Sequence, residues 1–307
     1  MKFKSNLAAP ILLIVVFGLV TLSRFIPAAR LAANENPYLA AIVIQLLIFA
    51  LPSLFFCTLR GSEYRSRLRL RLMPLSSIIF MIAAAALLVT GSFLLGTLMY
   101  SVAPEAFKSS STGTYAAFAM NPGVFDGMYL VLAFALLPAI TEEVLFRGII
   151  LTEYTSYGVA CAVIMSSLTF AMSHFSFVRL PIYLFCGLIL ALVTFATRSL
   201  IASVIVHLVN NIFVLFFEDY VVSVAKRQNI SSILALFILL SVAFIAAIVM
   251  AFEASSIYRS YGKNNADSSY LPDPGEKRSR VRAFSEAFFS PAFLILLVLW
   301  AAVTYLT

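Results

Sequence analysis

The residues of this chain that could do chemistry together lie between positions 142 and 211, inside long apolar stretches. They comprise two adjacent glutamates, both histidines of the chain, an arginine and an asparagine: Glu142, Glu143, Arg147, His174, His207 and Asn211. An ionisable side chain near the centre of a bilayer costs at least about 2.5–3.5 kcal/mol on insertion scales, so such residues are functional candidates. Carboxylate, imidazole and carboxamide groups are suited to proton transfer and to binding a developing negative charge.

The two glutamates have different surroundings on a helix. Glu143 and Arg147 are four residues apart, with the acid nearer the N-terminus, which is the favourable order for an ion pair. Glu142 is rotated about 100° from Glu143 and has no charged partner within one turn. It is therefore the candidate general base for water. The purely structural alternative is that both glutamates pair with Arg147. Pro138, four residues before Glu142, is expected to kink the helix beside the acids.

The histidines add two further polar groups to the same region. His174 ends one apolar run, and His207 lies inside another with Asn211 four residues later, on the same helix face. A single histidine in a helix bundle is more often an interhelical hydrogen-bonding residue than a catalyst. Two histidines, a carboxylate and an amide on three neighbouring spans favour a shared polar site.

Composition places these residues in a membrane protein. The chain has 307 residues, of which 62% are hydrophobic and 11% charged, and its mean hydropathy is +1.00. A soluble domain has about 25% charged residues. Apolar runs long enough to span a bilayer predict eight or nine transmembrane helices, near 8–29, 39–59, 76–103, 127–152, 158–175, 181–197, 200–217, 231–252 and 287–306. The predicted fold is an all-α polytopic membrane helix bundle, because runs this long without alternation favour helices over barrel strands.

The net charge of +7 is concentrated in two loops. The first contains Arg60, Arg65, Arg67, Arg69 and Arg71, and the second contains Arg259, Lys263, Lys277, Arg278, Arg280 and Arg282. An even number of predicted spans separates the loops, so both can face the cytoplasm together with the N-terminus. The charge therefore indicates topology and contact with lipid headgroups, and no nucleic-acid partner is expected. The expected location is the plasma membrane of a bacterium.

The rest of the chain suggests one membrane domain with three parts. These are the N-terminal helices and a polar loop over 1–124, a catalytic core over 125–218, and C-terminal helices over 219–307 with a basic cytoplasmic loop at about 255–282. The first apolar run resembles a secretory signal peptide, but its length and the many later spans favour an uncleaved helix. Cys57, Cys161 and Cys186 have no paired or metal-ligand spacing and are interpreted as packing residues.

Three motifs on successive spans resemble the CPBP family of intramembrane proteases, also called the Abi or CAAX-protease-and-bacteriocin-processing family, which includes the type II CAAX prenyl endopeptidases. The family pattern is E-E-x-x-x-R, then F-x-x-x-H, then H-x-x-x-N or H-x-x-x-D. This chain matches it with Glu142, Glu143 and Arg147, with Phe170 and His174, and with His207 and Asn211. The resemblance covers roughly residues 127–217.

The resemblance implies hydrolysis of a peptide bond within or at the membrane. Glu142 would activate the attacking water and His174 would help to hold it, while His207 and Asn211 would stabilise the oxyanion. Glu143 and Arg147 would orient the first helix of the site, with Phe170 in a supporting role. The implied substrate is a membrane-associated peptide, such as a prenylated C-terminus or a bacteriocin leader.

Two alternatives accompany this interpretation. The family has also been described as metal-dependent, and Glu142, His174 and His207 could bind zinc with an open position for water. The chain lacks H-E-x-x-H, so glutamate-activated water with no cofactor is preferred. The second alternative is a proton-coupled transporter or scaffold, although no internal repeat is present. Simple counting along the spans also places His174 and His207 at different depths.

Overall fold

The computed structural model of this chain describes residues 5–25, 37–109, 124–218, 221, 227, 231–263 and 279–306. Regular structure in these ranges is entirely helical, as predicted. The main helices in chain order are α1 (Ser5–Phe25), α2 (Tyr38–Arg60), α3 (Leu75–Val102), α4 (Gly127–Tyr157), α5 (Val159–Met172), α6 (Leu180–Thr197), α7 (Leu200–Phe217), α8 (Ser232–Lys263), α9 (Arg280–Phe288) and α10 (Pro291–Leu306). Short helices Ser62–Ser66 and Pro104–Ser109 follow α2 and α3.

The described helices supply fewer full-length spans than the eight or nine predicted. By length and composition, six can cross a membrane: α2, α3, α4, α6, α7 and α8. A seventh is obtained if α9 and α10, which are bent by 59° at their junction, form one span. Two further predicted spans correspond to shorter apolar stretches, Leu7–Ser23 within α1 and Val159–Met172, which is α5. The predicted count is therefore not confirmed among the described residues. The run predicted over 158–175, for example, forms an α-helix only over Val159–Met172.

Helix α6 lies at the centre of the bundle. It packs against α5, α3 and α7, and α7 in turn packs against α3 and α4. The buried core receives one or more apolar side chains from each of these helices, including Leu88, Phe146, Phe170, Leu190 and Val206. The close approach of α6 to α5 depends on Gly187, because a Cβ atom there would lie 2.9 Å from the Cα atom of Ser167. Small residues at helix contacts allow such close packing in membranes.

Helix α4 continues through Pro138 and changes its hydrogen-bonding pattern on both sides of it. A π-helical segment, Leu132–Leu136, precedes the proline, and a second one, Val144–Ile150, follows the two glutamates. Proline lacks the N–H that an α-helical ladder needs, and widening of the helix accommodates this loss without a break. Where a kink at Pro138 was expected, α4 is one continuous helix with a π segment before the proline and another after the acids.

The basic segment after α2 is held against the end of α4. Arg60 forms an ion pair with the buried Glu153, and Arg69 Nη1 donates to Thr152 Oγ1 at 3.2 Å. Burial, reinforced by the nearby Glu153 carboxylate, raises the pKa of Tyr64 well above its ordinary value. The Tyr64 hydroxyl therefore stays protonated and lies 3.4 Å from the carbonyl oxygen of Ile149. These arginines have structural contacts in addition to the topological role that the sequence predicts.

Much of the two predicted loops lies outside the described residues. Of the polar loop predicted over 104–124, the structure describes 104–109 and 124; of the basic loop predicted over 255–282, it describes 255–263 and 279–282. The described part of the second loop up to 263 is helical, since α8 has 32 residues. A helix of that length extends about 48 Å and exceeds the roughly 30 Å of a bilayer core.

Candidate active site

Glu143 joins two nitrogen-containing side chains in the interior of the bundle. Its Oε1 atom lies 2.7 Å from Arg147 Nη1 and 3.0 Å from His207 Nδ1, and the Glu143 and Arg147 side chains are fully buried. The ion pair predicted from the four-residue spacing is confirmed. Arg147 Nη2 also donates to the carbonyl oxygen of Gly187 at 3.0 Å. Through these contacts, α4 is fixed to both α6 and α7.

Phe170 brings the two histidines to one place. Its ring centroid is 5.0 Å from that of His174 and 5.7 Å from that of His207, and Arg147 Cζ lies 4.4 Å above it. Counting along the chain predicts different depths for the histidines, but α5 has only 14 residues. A helix of that length extends about 21 Å and ends before crossing the roughly 30 Å core, so His174 can meet His207.

His174 lies just beyond α5 and is held on two sides. Its Nδ1 atom lies 3.0 Å from the carbonyl oxygen of Phe170, and its ring stacks on Tyr183 with a centroid distance of 3.7 Å and an interplanar angle of 17°. A carbonyl oxygen only accepts hydrogen bonds, so Nδ1 carries the proton. In the neutral ring, Nε2 is then an acceptor that can receive a hydrogen bond from water.

A cavity of about 400 Å³ lies beside these histidines. Its walls are mostly apolar and aromatic, and its polar lining includes His174, Arg179, Tyr183, His207, Asn210 and Asn211. Asn211 Nδ2 donates to the carbonyl oxygen of Ala135, in the π segment of α4, at 3.3 Å. Because an amide nitrogen has two N–H groups, a second donor on Asn211 is available to a ligand. His207 and Asn211 share one helix face, as their spacing predicts.

Glu142 has a partner from a different helix. Gln45 Nε2 lies 3.4 Å from Glu142 Oε1 and 2.8 Å from the hydroxyl oxygen of the neighbouring Thr141. Glu142 does not line the cavity. It is close enough to two residues that do, His207 and Tyr183, to interact with them electrostatically. Three of the four predicted catalytic residues, His174, His207 and Asn211, therefore line one cavity, and Glu142 is outside its lining.

A zinc ion does not fit the arrangement of these side chains. Within the part of the chain that the structure describes, no group of three or more His, Cys, Asp or Glu side chains could hold a metal ion. That statement includes Glu142, His174 and His207, the ligands that a metal-dependent site would use. The mechanism proposed below therefore uses no metal ion.

Three residues near the site were not predicted from the sequence. Gln45 contacts Glu142, Tyr183 stacks on His174, and Arg179 lines the cavity with its guanidinium 4.3 Å from the ring of Phe107. The sequence does contain an indication for Gln45, because its carboxamide lies in an otherwise apolar run. A carboxamide in such a run must find a hydrogen-bond partner. Tyr183 and Arg179 had no comparable signal, because aromatic and basic residues are common at the ends of membrane helices.

A protein-family model matches part of the chain. Residues 124–213 match the family model described as Type II CAAX prenyl endopeptidase Rce1-like. This segment contains α4 to α6, most of α7, and all the residues of the three motifs. No curated protein and no solved structure matches the chain. The resemblance that the motifs predict is confirmed: residues 124–213 match the Rce1-like family model, which is consistent with the CPBP and CAAX protease family.

Proposed function

We propose that this protein hydrolyses a peptide bond of a membrane-associated substrate with water activated by Glu142. The Rce1-like domain supports CAAX-type endopeptidase activity in general. The assignment of residues rests on one observation, the cavity of about 400 Å³ between membrane helices that His174, His207 and Asn211 line together. A site of this kind, largely apolar with a few convergent polar groups, suits a small part of a bound ligand.

In the proposed first step, the Glu142 carboxylate takes a proton from water and the hydroxide adds to the scissile carbonyl carbon. Gln45 contacts Oε1 of Glu142, and Oε2 has no hydrogen-bond partner among the described residues, which leaves it for water. His174 would hold the same water through Nε2, since its Nδ1 proton is directed to the Phe170 carbonyl. Two acceptors on one water molecule would fix the direction of its lone pair.

In the proposed second step, His207 and Asn211 donate hydrogen bonds to the oxyanion that forms on the carbonyl oxygen. Asn211 has one N–H beyond the bond to Ala135. His207 directs its Nδ1 proton to Glu143, so Nε2 can donate only when the ring is protonated on both nitrogens. Collapse of the tetrahedral intermediate then breaks the C–N bond, and the proton held by Glu142 passes to the departing amine nitrogen.

The proposed substrate is a peptide attached to the membrane, either a prenylated C-terminus or a leader peptide. Cavity walls formed by side chains such as Leu88, Phe93, Phe134 and Ile182 are suited to an apolar portion of such a chain. The proposed location is the plasma membrane of a bacterium, with the N-terminus and the basic loops on the cytoplasmic side. Lipid and peptide substrate are the proposed partners.

The experiment that tests this function compares cleaved peptides in membranes of cells that express the wild-type chain or the Glu142→Ala variant. We expect at least one membrane peptide to be cleaved only with the wild type. Glu286→Ala is the matched control, because Glu286 lies on α9, outside the Rce1-like domain, and pairs with Arg282. Identical cleavage patterns for wild type and Glu142→Ala would contradict the proposal.

A further inference from the structure

The carboxamide of Gln45 connects α2 to the helix that carries the acids. Gln45 ends the α-helical segment Pro37–Gln45 and is followed by the π-helical segment Leu46–Ala50. Its Nε2 atom lies 2.8 Å from Thr141 Oγ1 and 3.4 Å from Glu142 Oε1. One amide nitrogen from another helix thus reaches two consecutive side chains of α4.

The directions of these hydrogen bonds follow from their partners. Thr141 Oγ1 donates its own proton to the carbonyl oxygen of Leu137 at 2.9 Å, so it can only accept from Gln45. An ionised Glu142 carboxylate also only accepts. The NH₂ end of the amide must therefore face α4, and its two N–H groups match the two acceptors. The shorter contact, to Thr141, is the anchor, and the longer one is directed to the carboxylate.

We propose that Gln45 is a positioning residue that sets the orientation of the Glu142 carboxylate. This inference rests on the proposed function of Glu142 as the base. Gln45 engages Oε1 and so leaves Oε2 for water. A glutamate side chain has three rotatable bonds and can adopt several conformers. A hydrogen-bond donor on a neighbouring helix limits which of these conformers the glutamate occupies. Residues that orient a reacting group in this way affect its rate without contacting substrate.

The activity test uses the full-length protein in liposomes and a quenched fluorescent, farnesylated peptide ending in a CAAX sequence. Gln45→Met keeps the side-chain length and removes the donor. We expect its kcat to fall by about 10-fold or more, with KM and the melting temperature close to wild type. Thr141→Val removes the anchor, and the double variant should be no worse than Gln45→Met alone, because the two residues act through one contact.

Ser53→Ala is the matched control for a polar change in the same helix. Ser53 is buried, and its hydroxyl has no hydrogen-bond partner among the described residues. The kcat of the Ser53→Ala variant should equal that of the wild type. An unchanged kcat in Gln45→Met, or an equal fall in Ser53→Ala, would overturn the inference. If Gln45→Met does not fold, Thr141→Val provides the same comparison.

Infrared difference spectroscopy separates failure of this inference from failure of the proposed function. The carboxylate stretching band that disappears in Glu142→Gln belongs to Glu142, and its frequency responds to hydrogen bonding. We expect that band to shift in Gln45→Met and Thr141→Val but not in Ser53→Ala. An unshifted band overturns the role of Gln45 whatever the activity. If the wild type cleaves no peptide, the proposed function fails, and the band still decides whether Gln45 positions Glu142.

Discussion

His207 donates from Nδ1 to Glu143 Oε1 at 3.0 Å, and this is the same oxygen atom that Arg147 Nη1 contacts at 2.7 Å. Glu143 is therefore the acceptor that fixes both the orientation and the protonated nitrogen of His207. A carboxylate that accepts a hydrogen bond from one ring nitrogen commonly sets the tautomer of a functional imidazole. When His207 is protonated on both nitrogens, two carboxylates, Glu142 and Glu143, lie near two cations, His207 and Arg147. In that form, Nε2 can donate a hydrogen bond while Nδ1 still donates to Glu143.

Replacing Glu143 with Gln should lower stability more than any other single change in the site. The substitution leaves the fully buried Arg147 without its counter-charge, and loss of one partner of a buried ion pair costs about 3–5 kcal/mol. Thermal unfolding of the purified protein in detergent measures the effect. Glu142→Gln is the matched comparison and should unfold close to the wild type while its cleavage activity is lost. Equal melting temperatures for the two variants would contradict the different roles assigned to the glutamates.

Replacing Asn211 with Ala should lower kcat by about 100-fold with little change in KM, which is the size of effect seen when one oxyanion donor is removed. The neighbouring Asn210 offers a matched control, because it has the same side chain and also lines the cavity. Asn210→Ala should have a much smaller effect on kcat. Because Asn211 also donates to Ala135, the melting temperature must be measured as well. A kcat unchanged in a folded Asn211→Ala variant would remove this residue from the oxyanion site.

The ring of Tyr183 should matter more than its hydroxyl. The ring stacks on His174 at a centroid distance of 3.7 Å. Such contacts contribute about 0.5–1.5 kcal/mol, so Tyr183→Ala should reduce kcat by roughly 10-fold through disorder of the histidine. Tyr183→Phe keeps the stacked ring and should retain more activity than Tyr183→Ala. Steady-state kinetics on both variants test this order, and the reverse order would show that the hydroxyl is the important group.

Activity should survive exhaustive chelation. In the proposed mechanism, Glu142 activates water without a metal, so incubation of the purified protein with a strong zinc chelator should leave kcat unchanged. In the alternative mechanism, a zinc ion would lower the pKa of its bound water to about 7. Chelation would then abolish cleavage, and stoichiometric zinc would restore it. That second result would replace the glutamate mechanism with the metal one.

Relationships within one helix could be predicted from the sequence. The Glu143–Arg147 ion pair and the shared face of His207 and Asn211 both follow from four-residue spacing, because α-helical geometry is local. The helical fold also follows from composition, since backbone groups in lipid must bond within their own segment. The predicted number of spans is not confirmed, since the described residues contain six or seven helices or helix pairs that can cross a membrane. Hydropathy measures the length of an apolar run and not where its helix ends.

Relationships between helices were decided only by the tertiary structure. The contacts of His207 with Glu143, of Gln45 with Glu142, and of Tyr183 with His174 depend on how each helix is rotated and how deep it lies. Those quantities are set by packing, such as the close approach of α6 to α5 at Gly187 and the early end of α5. The sequence by itself determined that the acids, histidines and asparagine between positions 142 and 211 belong to apolar segments of the chain. Interhelical packing decided which of them meet across the bundle, because the rotation and depth of each helix set whether polar groups of different helices come within hydrogen-bond distance.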